Sequence, residues 1–257
     1  MPKDTYTIAA VGDVHCTRTS RGSLHNLFEQ VDSQADILLL CGDLTDYGHA
    51  DEAAVLIQEI PKSFRKPILG VLGNHDYEAD EQVALRNVLR EGGINVLDGD
   101  TFEHEGVGFA GVKGFGGGFG KRTLEPWGEP VTKLFVKEAV DEAMRLEIAL
   151  ARLHTEQKIV LLHYAPIEAT VVGEPLETYA FLGSSRLEEP INRYAATAVF
   201  HGHAHLGSLE GRTLADIPVY NVSHALLKKH FPNEPPVRFY RMSRKAGKPV
   251  LPVLQPA

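Results

Sequence analysis

Short, nearly continuous apolar runs alternate along the chain with segments in which apolar residues recur every three or four positions. Three such runs lie at residues 6–11, 36–41 and 67–72. Because they lack polar alternation, they predict strands buried on both faces, as in a parallel sheet covered by helices. The alternation of the two patterns is typical of βαβ units.

Helical periodicity is clearest in three places. A first helix is predicted before Pro61, where one face carries Ala53, Leu56, Ile57 and Ile60. A second is predicted at residues 83–89. The longest is predicted from six apolar residues that we expect to pack on a sheet, namely Val136, Val140, Ala143, Leu146, Leu150 and Leu153.

The second half of the chain predicts further strands. Residues 94–112 contain brief apolar stretches broken by Gly and Asp, which indicate antiparallel hairpins or a sheet edge. A second strand group is predicted at residues 158–163, 197–200, 217–222 and 237–241. Two sheets are therefore expected within a single domain spanning residues 1–257, with a Pro-rich, extended tail at residues 249–257.

Residues 111–120 form the most glycine-dense stretch of the chain. This composition predicts a mobile loop, either a surface excursion or a lid that contacts the substrate. A flexible connector and a functional lid are equally compatible with the residues, because long flexible loops are often functional.

Composition and charge narrow the choice of partners. The 257 residues include 26 Lys and Arg against 34 Asp and Glu, which gives a net charge of −8. A field of this sign repels a phosphate backbone, so a nucleic-acid partner is disfavoured unless a local cationic centre overcomes it.

The first apolar run is too short for a signal peptide or a membrane span, so we expect a cytoplasmic protein with no membrane partner. The two cysteines, Cys16 and Cys41, are interpreted as buried packing residues.

Polar residues cluster at the ends of the predicted strands. Five short signals do so: Asp13-Val-His15, Gly42-Asp43, Gly73-Asn74-His75-Asp76, His163, and Gly202-His203-Ala204-His205. Ligands of open α/β sheets bind at the carboxyl ends of the strands, where all five signals can converge. Asp, Asn and neutral His suit manganese, iron, cobalt, nickel or zinc, and the signals lack the thiolates of a structural zinc site.

Spacing and number favour two metal ions. Asp13 and His15 lie two residues apart, as do His203 and His205, so in extended backbone each pair points to one side. The glycines before Asp43 and before the Asn and His signals permit tight turns and close backbone approach. Seven candidate ligands exceed the needs of one ion and match a pair about 3.5–4 Å apart.

Together these motifs resemble those of the calcineurin-like metallophosphoesterase family, from about the first strand to residue 205 or beyond. The resemblance implies a four-layer α/β/β/α sandwich, with two mixed β-sheets flanked by helices, and a dinuclear centre. By this likeness, one ion would be held by Asp13, His15 and His205, the other by Asn74, His163 and His203, and Asp43 would bridge them. His75 would be the catalytic acid that protonates the leaving group.

The remaining polar residues near the motifs have alternative roles. Asp76 is a second catalytic candidate that could orient His75, although capping of the following helix is the preferred interpretation. Asp46 and His49 could support the metal ligands or simply cap a helix. His201 is interpreted as a packing residue. Two residues after a late strand, Asn221 and His224, could line the mouth of the site.

The sequence departs from better-known branches of the family, and these departures narrow the class of substrate that we expect. Serine/threonine phosphatases carry Arg where Tyr47 stands here, and purple acid phosphatases place a Tyr ligand where Asp46 stands. The lipid-precursor hydrolases replace the catalytic histidine, which this chain retains as His75.

The nearest likeness is a small phosphodiesterase of the cyclic-nucleotide type. We therefore expect metal-activated water to attack a small phosphodiester, with nucleotides among the candidates. The alternatives are a phosphomonoesterase of proteins or small molecules, a DNA nuclease and a non-catalytic binding module.

Overall fold

The fold is described from a computed structural model, in which residues 5–243 are described. The predicted tail at residues 249–257 lies outside them. The strands, in chain order, are β1 (Thr5–Val11), β2 (Ile37–Cys41), β3 (Ile68–Val71), β4 (Ile94–Val96), β5 (Asp100–His104), β6 (Val107–Gly111), β7 (Gln157–Leu161), β8 (Ala198–His201), β9 (Glu210–Arg212), β10 (Pro218–Asn221) and β11 (Arg238–Ser243).

Seven α-helices connect these strands among the described residues. They are α1 (His25–Gln34), α2 (Ala50–Glu59), α3 (Gln82–Glu91), α4 (Pro130–Arg152), α5 (Tyr179–Leu182), α6 (Glu188–Arg193) and α7 (His224–His230). A short 3₁₀ turn, His75–Tyr77, follows β3. The three predicted helices correspond to α2, α3 and α4; the last begins with Pro130, which suits the first helical position because its missing N–H needs no partner there.

The strands form two mixed sheets. The first has the order β11-β1-β2-β3-β4, and the second has the order β5-β6-β7-β8-β10-β9. Neighbours in the first sheet run parallel except β11, which pairs antiparallel with β1. In the second sheet β6, β7, β8 and β10 are parallel, and β5 and β9 are antiparallel edges. The predicted α/β class with two mixed sheets flanked by helices is confirmed.

Three apolar cores separate four layers. Residues of α1, α2 and α3 pack on one face of the first sheet, and α4 and α6 pack on the outer face of the second. The core between them joins the two sheets face to face. In β2, Leu38 and Leu40 face the helices while Ile37, Leu39 and Cys41 face the second sheet. Burial on both faces explains why this strand reads as a continuous apolar run.

Two strand assignments differ from the sequence-based expectation. The strand predicted at residues 237–241 is expected with the second group, but β11 belongs to the first sheet, where its Tyr240 pairs with Ile8. Within residues 94–112, β4 extends the first sheet in parallel, while β5 and β6 form the expected hairpin at an edge of the second sheet. In the long helix α4, Val140 is exposed and Glu142 is buried, whereas the apolar periodicity predicts that Val140 packs on the sheet.

The glycine-rich stretch is buried and is not a surface excursion. Gly116, Gly117 and Gly118 are buried, and the last two donate backbone hydrogen bonds to Ala180 and Gly183 at 2.7 and 2.9 Å. A Cβ on Gly116 would lie 2.7 Å from the carbonyl oxygen of Ala180. The glycines therefore permit close packing of two backbone segments.

Candidate metal centre

The predicted ligands lie on loops that follow five strands from both sheets. Asp13 and His15 follow β1, Asp43 follows β2, and Asn74 follows β3. The second sheet contributes His163 after β7 and the pair His203 and His205 after β8. The carboxyl ends of the parallel strands thus meet at one edge of the sandwich, as predicted from the motif positions.

Backbone hydrogen bonds join these loops to one another. The N–H of Asp13 donates to the carbonyl of Gly42 at 2.9 Å, and the N–H of His15 donates to the carbonyl of Asp43 at 3.0 Å. Across the sheets, the N–H of His203 donates to both carboxylate oxygens of Asp13, at 2.9 and 3.0 Å. The ligand positions are therefore held by the backbone as well as by their own side chains.

Four of the candidate ligands adopt backbone conformations that non-glycine residues rarely adopt. The φ angles of Asp13, His15, Asp43 and His203 are 56°, 43°, 47° and 68°. Only four other non-glycine residues in the described range 5–243 have positive φ. Such strain costs about 1–3 kcal/mol per residue and persists where surrounding structure enforces it, which is typical of functional sites.

The glycines that precede the ligands leave no room for a side chain. A Cβ on Gly73 would lie 2.1 Å from Oδ1 of Asp43, and a Cβ on Gly202 would lie 2.5 Å from Oδ2 of Asp13. Gly42 combines a φ of +80° with a Cβ position only 2.4 Å from Nδ1 of His163. The predicted close approach of the backbone to the ligands is thus present at all three positions.

The side chains form three overlapping groups of metal-ligating atoms. Within each group, one ligand atom from every residue lies within 4.8 Å of the others. The groups are Asp13, His15 and His205; His15, Asp43 and His75; and Asp43, His163 and His203. Asn74 joins the last group through its Oδ1, which lies 2.9 Å from Nε2 of His163.

The surroundings of His163 suit a cation. Its ring is fully buried, with Nδ1 3.1 Å from the backbone carbonyl of Cys41. Nε2 lies 2.9 Å from Oδ1 of Asn74 and 3.4 Å from Oδ1 of Asp43. Burial lowers the pKa of His163 well below its usual value, so the ring carries one proton for two nitrogens that both face oxygen atoms. A metal ion at Nε2, with Nδ1–H donating to the carbonyl, satisfies both nitrogens.

The two buried carboxylates also favour bound cations. Burial, together with the nearby Asp13 and Asp76, raises the pKa of Asp43 to about 9. Burial opposes ionisation of Asp13 as well, but hydrogen bonds from His205 and from the backbone N–H of His203 outweigh it and lower the pKa of Asp13. Without a cation the site tolerates one negative charge more readily than two, and metal ions would remove this repulsion.

His15 provides a second indication of a missing partner. Both ring nitrogens are buried and lack a hydrogen bond within the described part of the chain, although Nδ1 lies 3.0 Å from Oδ1 of Asp46. Burial lowers the pKa of His15, so the neutral ring has a lone pair available. Since buried polar atoms are nearly always satisfied, this ring fits a metal ligand.

The histidines after β8 are oriented differently from each other. Nε2 of His203 lies 3.2 Å from the carbonyl of Phe181, an interaction that leaves Nδ1 as the ligand atom when Nε2–H donates. Nε2 of His205 lies 3.3 Å from Oδ1 of Asp13, and this hydrogen bond raises the pKa of His205. The sequence motif does not indicate Phe181, because its contribution is a backbone carbonyl.

His75 lies beside the ligands and is held by its own set of acceptors. Its Nδ1 lies 2.7 Å from the backbone carbonyl of Asp46 and 3.2 Å from a carboxylate oxygen of Glu78. The ring packs edge-on against His15, with centroids 4.7 Å apart. Asp46 is therefore a supporting residue, contacting His15 with its side chain and His75 with its backbone.

Asp76 does not cap the following helix, and within residues 5–243 its carboxylate is hydrogen-bonded to groups other than the His75 ring. Its fully buried carboxylate accepts hydrogen bonds from the N–H groups of Gly73, Leu44 and Thr45 at 2.8–3.1 Å, and from the Thr45 hydroxyl at 2.7 Å. The helix that follows begins later, at Gln82, with Glu81 as its N-terminal cap residue. Asp76 thus joins the loop after β2 to the loop after β3 and orients no catalytic ring.

Asp76→Ala is expected to destabilise the protein by about 3 kcal/mol or more, because it leaves three buried N–H groups without acceptors. Asp76→Asn, which keeps one carbonyl oxygen, should cost less. Urea unfolding of the two variants and the parent measures both losses. Equal stability of the alanine variant and the parent would contradict this structural role.

The structure also shows the contacts of the other polar residues that the sequence placed near the motifs. His201 is fully buried, with Nε2 2.8 Å from the Thr170 hydroxyl, in keeping with the packing interpretation. Asn221 is buried and donates to the carbonyl of Ala204 at 2.7 Å, so it does not line the mouth of the site. The N–H of His224 donates to Gly12 at 2.9 Å, beside the loop that carries Asp13. His49 precedes α2 as its cap residue.

Both cysteines are free and buried in the apolar cores. Burial raises the pKa of the Cys16 thiol to about 11 and also raises that of Cys41. Neither residue belongs to the groups of ligand atoms found among residues 5–243. Their interpretation as packing residues agrees with this placement.

The family assignment follows from a match over most of the chain. The model of the calcineurin-like phosphoesterases matches residues 6–207, which contain every predicted ligand. The chain belongs to this family. Its members use divalent metal ions, and the family supports a metal-dependent hydrolase of phosphoesters. No curated protein matches the sequence significantly.

Several solved structures share the fold at low sequence identity. Phosphopantetheinyl hydrolase from Mycobacterium tuberculosis is 14% identical, with a TM-score of 0.64 and 99% of each chain covered. The protein TT1561 of Thermus thermophilus is 17% identical, with a TM-score of 0.53 and coverage of 94% of this chain and 100% of that one. A purple acid phosphatase from yellow lupin is 16% identical, with a TM-score of 0.50 and coverage of 78% and 38%. At these identities the likeness shows the fold alone.

Within residues 5–243, no helix has the length and apolarity needed to cross a bilayer.

Proposed function

We propose that this calcineurin-like phosphoesterase hydrolyses small phosphodiesters with metal-activated water at a two-metal centre. The observation that supports it is the convergence of two buried carboxylates, the Asn74 amide and four imidazole rings, of which His15 has two buried nitrogens without a hydrogen bond among residues 5–243. Such a set leaves lone pairs that cations satisfy. The proposed ligands are Asp13, His15, Asp43, Asn74, His163, His203 and His205.

The grouping of the side chains supports a division of these ligands between two ions. Asp13, His15 and His205 would hold one ion, and His163, His203 and Asn74 the other. Asp43 belongs to groups with residues of both sets, as a bridging carboxylate should. Two bound divalent ions would polarise the phosphoryl oxygens and lower the pKa of a coordinated water from 15.7 toward about 7. Manganese, iron, zinc, cobalt and nickel all suit this donor set.

His75 is proposed as the general acid. Its Nδ1 is held by the carbonyl of Asp46, so Nε2 is free to carry the proton that the leaving alkoxide requires. Its ring lies against His15 and within reach of Asp43, next to where the ester would bind. Asp76 has no part in this step, because its carboxylate is occupied by backbone N–H groups.

The substrate is proposed to be a small phosphodiester, with nucleotides included, in a cytoplasmic enzyme that does not act on nucleic acid. The net charge of −8 disfavours a polyanionic partner outside the metal centre. The related structures include one named as a hydrolase and one named as a phosphatase, so hydrolysis of monoesters is the second candidate.

The proposal is tested by metal analysis and a paired assay. Purified protein should contain about two transition-metal ions per chain and should hydrolyse bis-p-nitrophenyl phosphate with Mn²⁺ but not after chelation. Activity toward p-nitrophenyl phosphate alone would reassign the protein as a monoesterase. Cleavage of single- or double-stranded DNA would support a nuclease, and metal binding with no hydrolysis of any ester would support a binding module.

His75→Ala is expected to retain both metal ions and to lose activity according to the leaving group. A dialkyl phosphate, whose alkoxide needs a proton, should react about 100- to 10,000-fold more slowly. Bis-p-nitrophenyl phosphate should lose less, because p-nitrophenolate leaves without protonation. His49→Ala, at the edge of the same region, is the matched control and should keep both rates. Equal losses for both esters would contradict the acid role.

A further inference from the structure

A cavity of about 420 Å³ lies between α3 and α4, beside the candidate metal centre. Two of its lining residues adjoin that centre. Tyr77 belongs to the same short turn as His75, and the carbonyl of Lys113 accepts the N–H of His163 at 3.0 Å. A molecule in the cavity would therefore contact the turn that carries His75 and the residue whose backbone carbonyl holds His163.

Charged residues line most of this cavity. Four of them are cationic: Arg86, Arg90, Lys113 and Arg145. Three are acidic: Asp98, Glu138 and Glu142. The lining thus carries one net positive charge on a chain whose net charge is −8. This local excess suits a ligand group with a single negative charge better than a dianion or a cation.

The acidic residues hold the cations in place without using all their donors. Arg86 donates through its two terminal nitrogens to Asp98 at 2.7 Å and to the hydroxyl of Tyr77 at 2.9 Å. Arg145 donates to Glu142 at 2.5 Å. Two guanidinium groups, one from α3 and one from α4, are thereby held in the lining of one cavity, and their planar donor sets suit recognition of an oxyanion.

Several polar atoms of the lining lack partners among residues 5–243. Nε of Arg86 and Oε1 of Gln82 are buried and make no hydrogen bond. Lys113 has three ammonium donors, and the structure shows one hydrogen bond from them, to the carbonyl of Gly114 at 2.9 Å. Buried polar groups without partners are rare, so the lining keeps unused hydrogen-bonding capacity, with donors on Arg86 and Lys113.

We propose that this cavity binds an anionic group, a carboxylate or a monoanionic phosphate ester, at the far end of a substrate whose scissile phosphoester lies at the metal centre. The inference rests on the proposed function and narrows it to esters that carry a second negative charge. The rings of Tyr77 and Tyr164 lie 5.7 and 5.3 Å from the Lys113 ammonium, and each tyrosine is close in sequence to a residue proposed for the metal centre, His75 or His163.

The test compares esters that differ only in charge at the far end. p-Nitrophenyl alkyl phosphates are prepared with a terminal carboxylate or with the isosteric, neutral carboxamide, on alkyl chains of two to eight carbons. At the chain length that reaches the cavity, kcat/KM should be about 10- to 100-fold higher for the carboxylate, the range expected for hydrogen bonds to a charged group. Equal values at every length would overturn the proposal.

Two variants separate a local contact from the overall charge of the protein. Arg145→Gln, which removes a half-exposed cation from the rim, should reduce the preference for the carboxylate over the carboxamide to near unity. Arg152→Gln removes the same charge from the same helix at an exposed position outside the lining and should keep the preference. Equal effects of the two variants would show a general field and overturn the assignment.

A binding measurement separates failure of this inference from failure of the proposed function. If no ester is hydrolysed, the proposed function fails, and calorimetry with benzenesulfonate against the neutral methyl phenyl sulfone still tests the cavity. Binding of the sulfonate that is lost in Arg145→Gln would support an anion site. Absence of sulfonate binding would overturn it.

Discussion

Gly42→Ala is expected to remove metal from the centre and to reduce hydrolysis by about 100-fold or more. The new Cβ would lie 2.4 Å from Nδ1 and 2.5 Å from Cγ of His163, whose ring is fully buried and cannot move aside freely. Displacing the ring breaks its hydrogen bond to Cys41 and moves a proposed ligand, and a misplacement of 1 Å can cost about 100-fold in rate. Metal content and kcat/KM measure the effect.

Gly22→Ala is the matched control. Gly22 has nearly the same backbone conformation, with φ +82° against +80° at Gly42, but its Cβ would have no atom within 4 Å. This variant should show only the left-handed strain, about 1–2 kcal/mol, and keep its metal ions and activity. If the two alanine variants lost stability equally and both kept full activity, the contact with His163 would not be the reason for glycine at position 42.

The buried layers of the fold could be predicted because each has a strong local signal. Runs such as residues 36–41 are apolar at every position after the first, since each strand face meets a separate core. The long helix α4 has an apolar face over many turns, although periodicity alone does not reveal that Glu142 is buried to accept a hydrogen bond from Gly114 at 2.7 Å. The pattern of apolar positions cannot reveal a buried acid whose backbone donor lies far away in the sequence.

Sheet membership and the small elements could not be predicted from local pattern. The strand β11 crosses to the first sheet because Tyr240 and Met242 complete the core between the sheets, and this depends on contacts far away in sequence. The short strand β9, three residues long, and the helices α5, α6 and α7 are stabilised mainly by packing. The dense glycines suggest mobility where they instead permit close backbone packing.

The positions of the candidate ligands were predictable because strand ends and sequence motifs coincide. His163 belongs to no longer motif, so it is recognisable only through its position in the order of the other motifs. The supporting atoms were not predictable, since the carbonyls of Cys41, Asp46 and Phe181 are backbone groups that any residue would supply. Asp76 belongs to the same motif as His75, but its four hydrogen bonds join the loop after β2 to the loop after β3.

Asp43→Asn should have opposite effects on stability in the chelated and the metal-loaded protein. In the chelated parent, burial and the nearby Asp13 and Asp76 raise the pKa of Asp43 to about 9 from an ordinary value of 3.8. Between these values the folded state keeps a proton that the unfolded chain has released. Stability from this group is therefore complete below the lower value and is lost as pH rises through about 9, with a slope of up to about 1.4 kcal/mol per pH unit.

Urea unfolding of chelated protein between pH 7 and 9 measures this loss. The D43N variant has no carboxyl group to titrate at this position, so its stability should exceed that of the parent by a margin that grows with pH. The histidines whose pKa values are lowered by burial, such as His15 and His163, titrate below this window and are common to both proteins. Parallel stability curves for the two proteins would contradict the raised pKa.

Addition of Mn²⁺ should reverse the order of the two proteins. A bound cation replaces the proton of Asp43, so the metal-induced stabilisation of the parent should increase from pH 7 to pH 9. The D43N variant lacks the carboxylate that we propose to bridge the two ions and should gain little. Its rate should fall by more than the roughly 10- to 100-fold that loss of an outer partner of a metal ligand costs. A carboxylate that destabilises the empty site and stabilises the loaded one would explain why a buried aspartate occupies a position where we expect asparagine to give a more stable empty site.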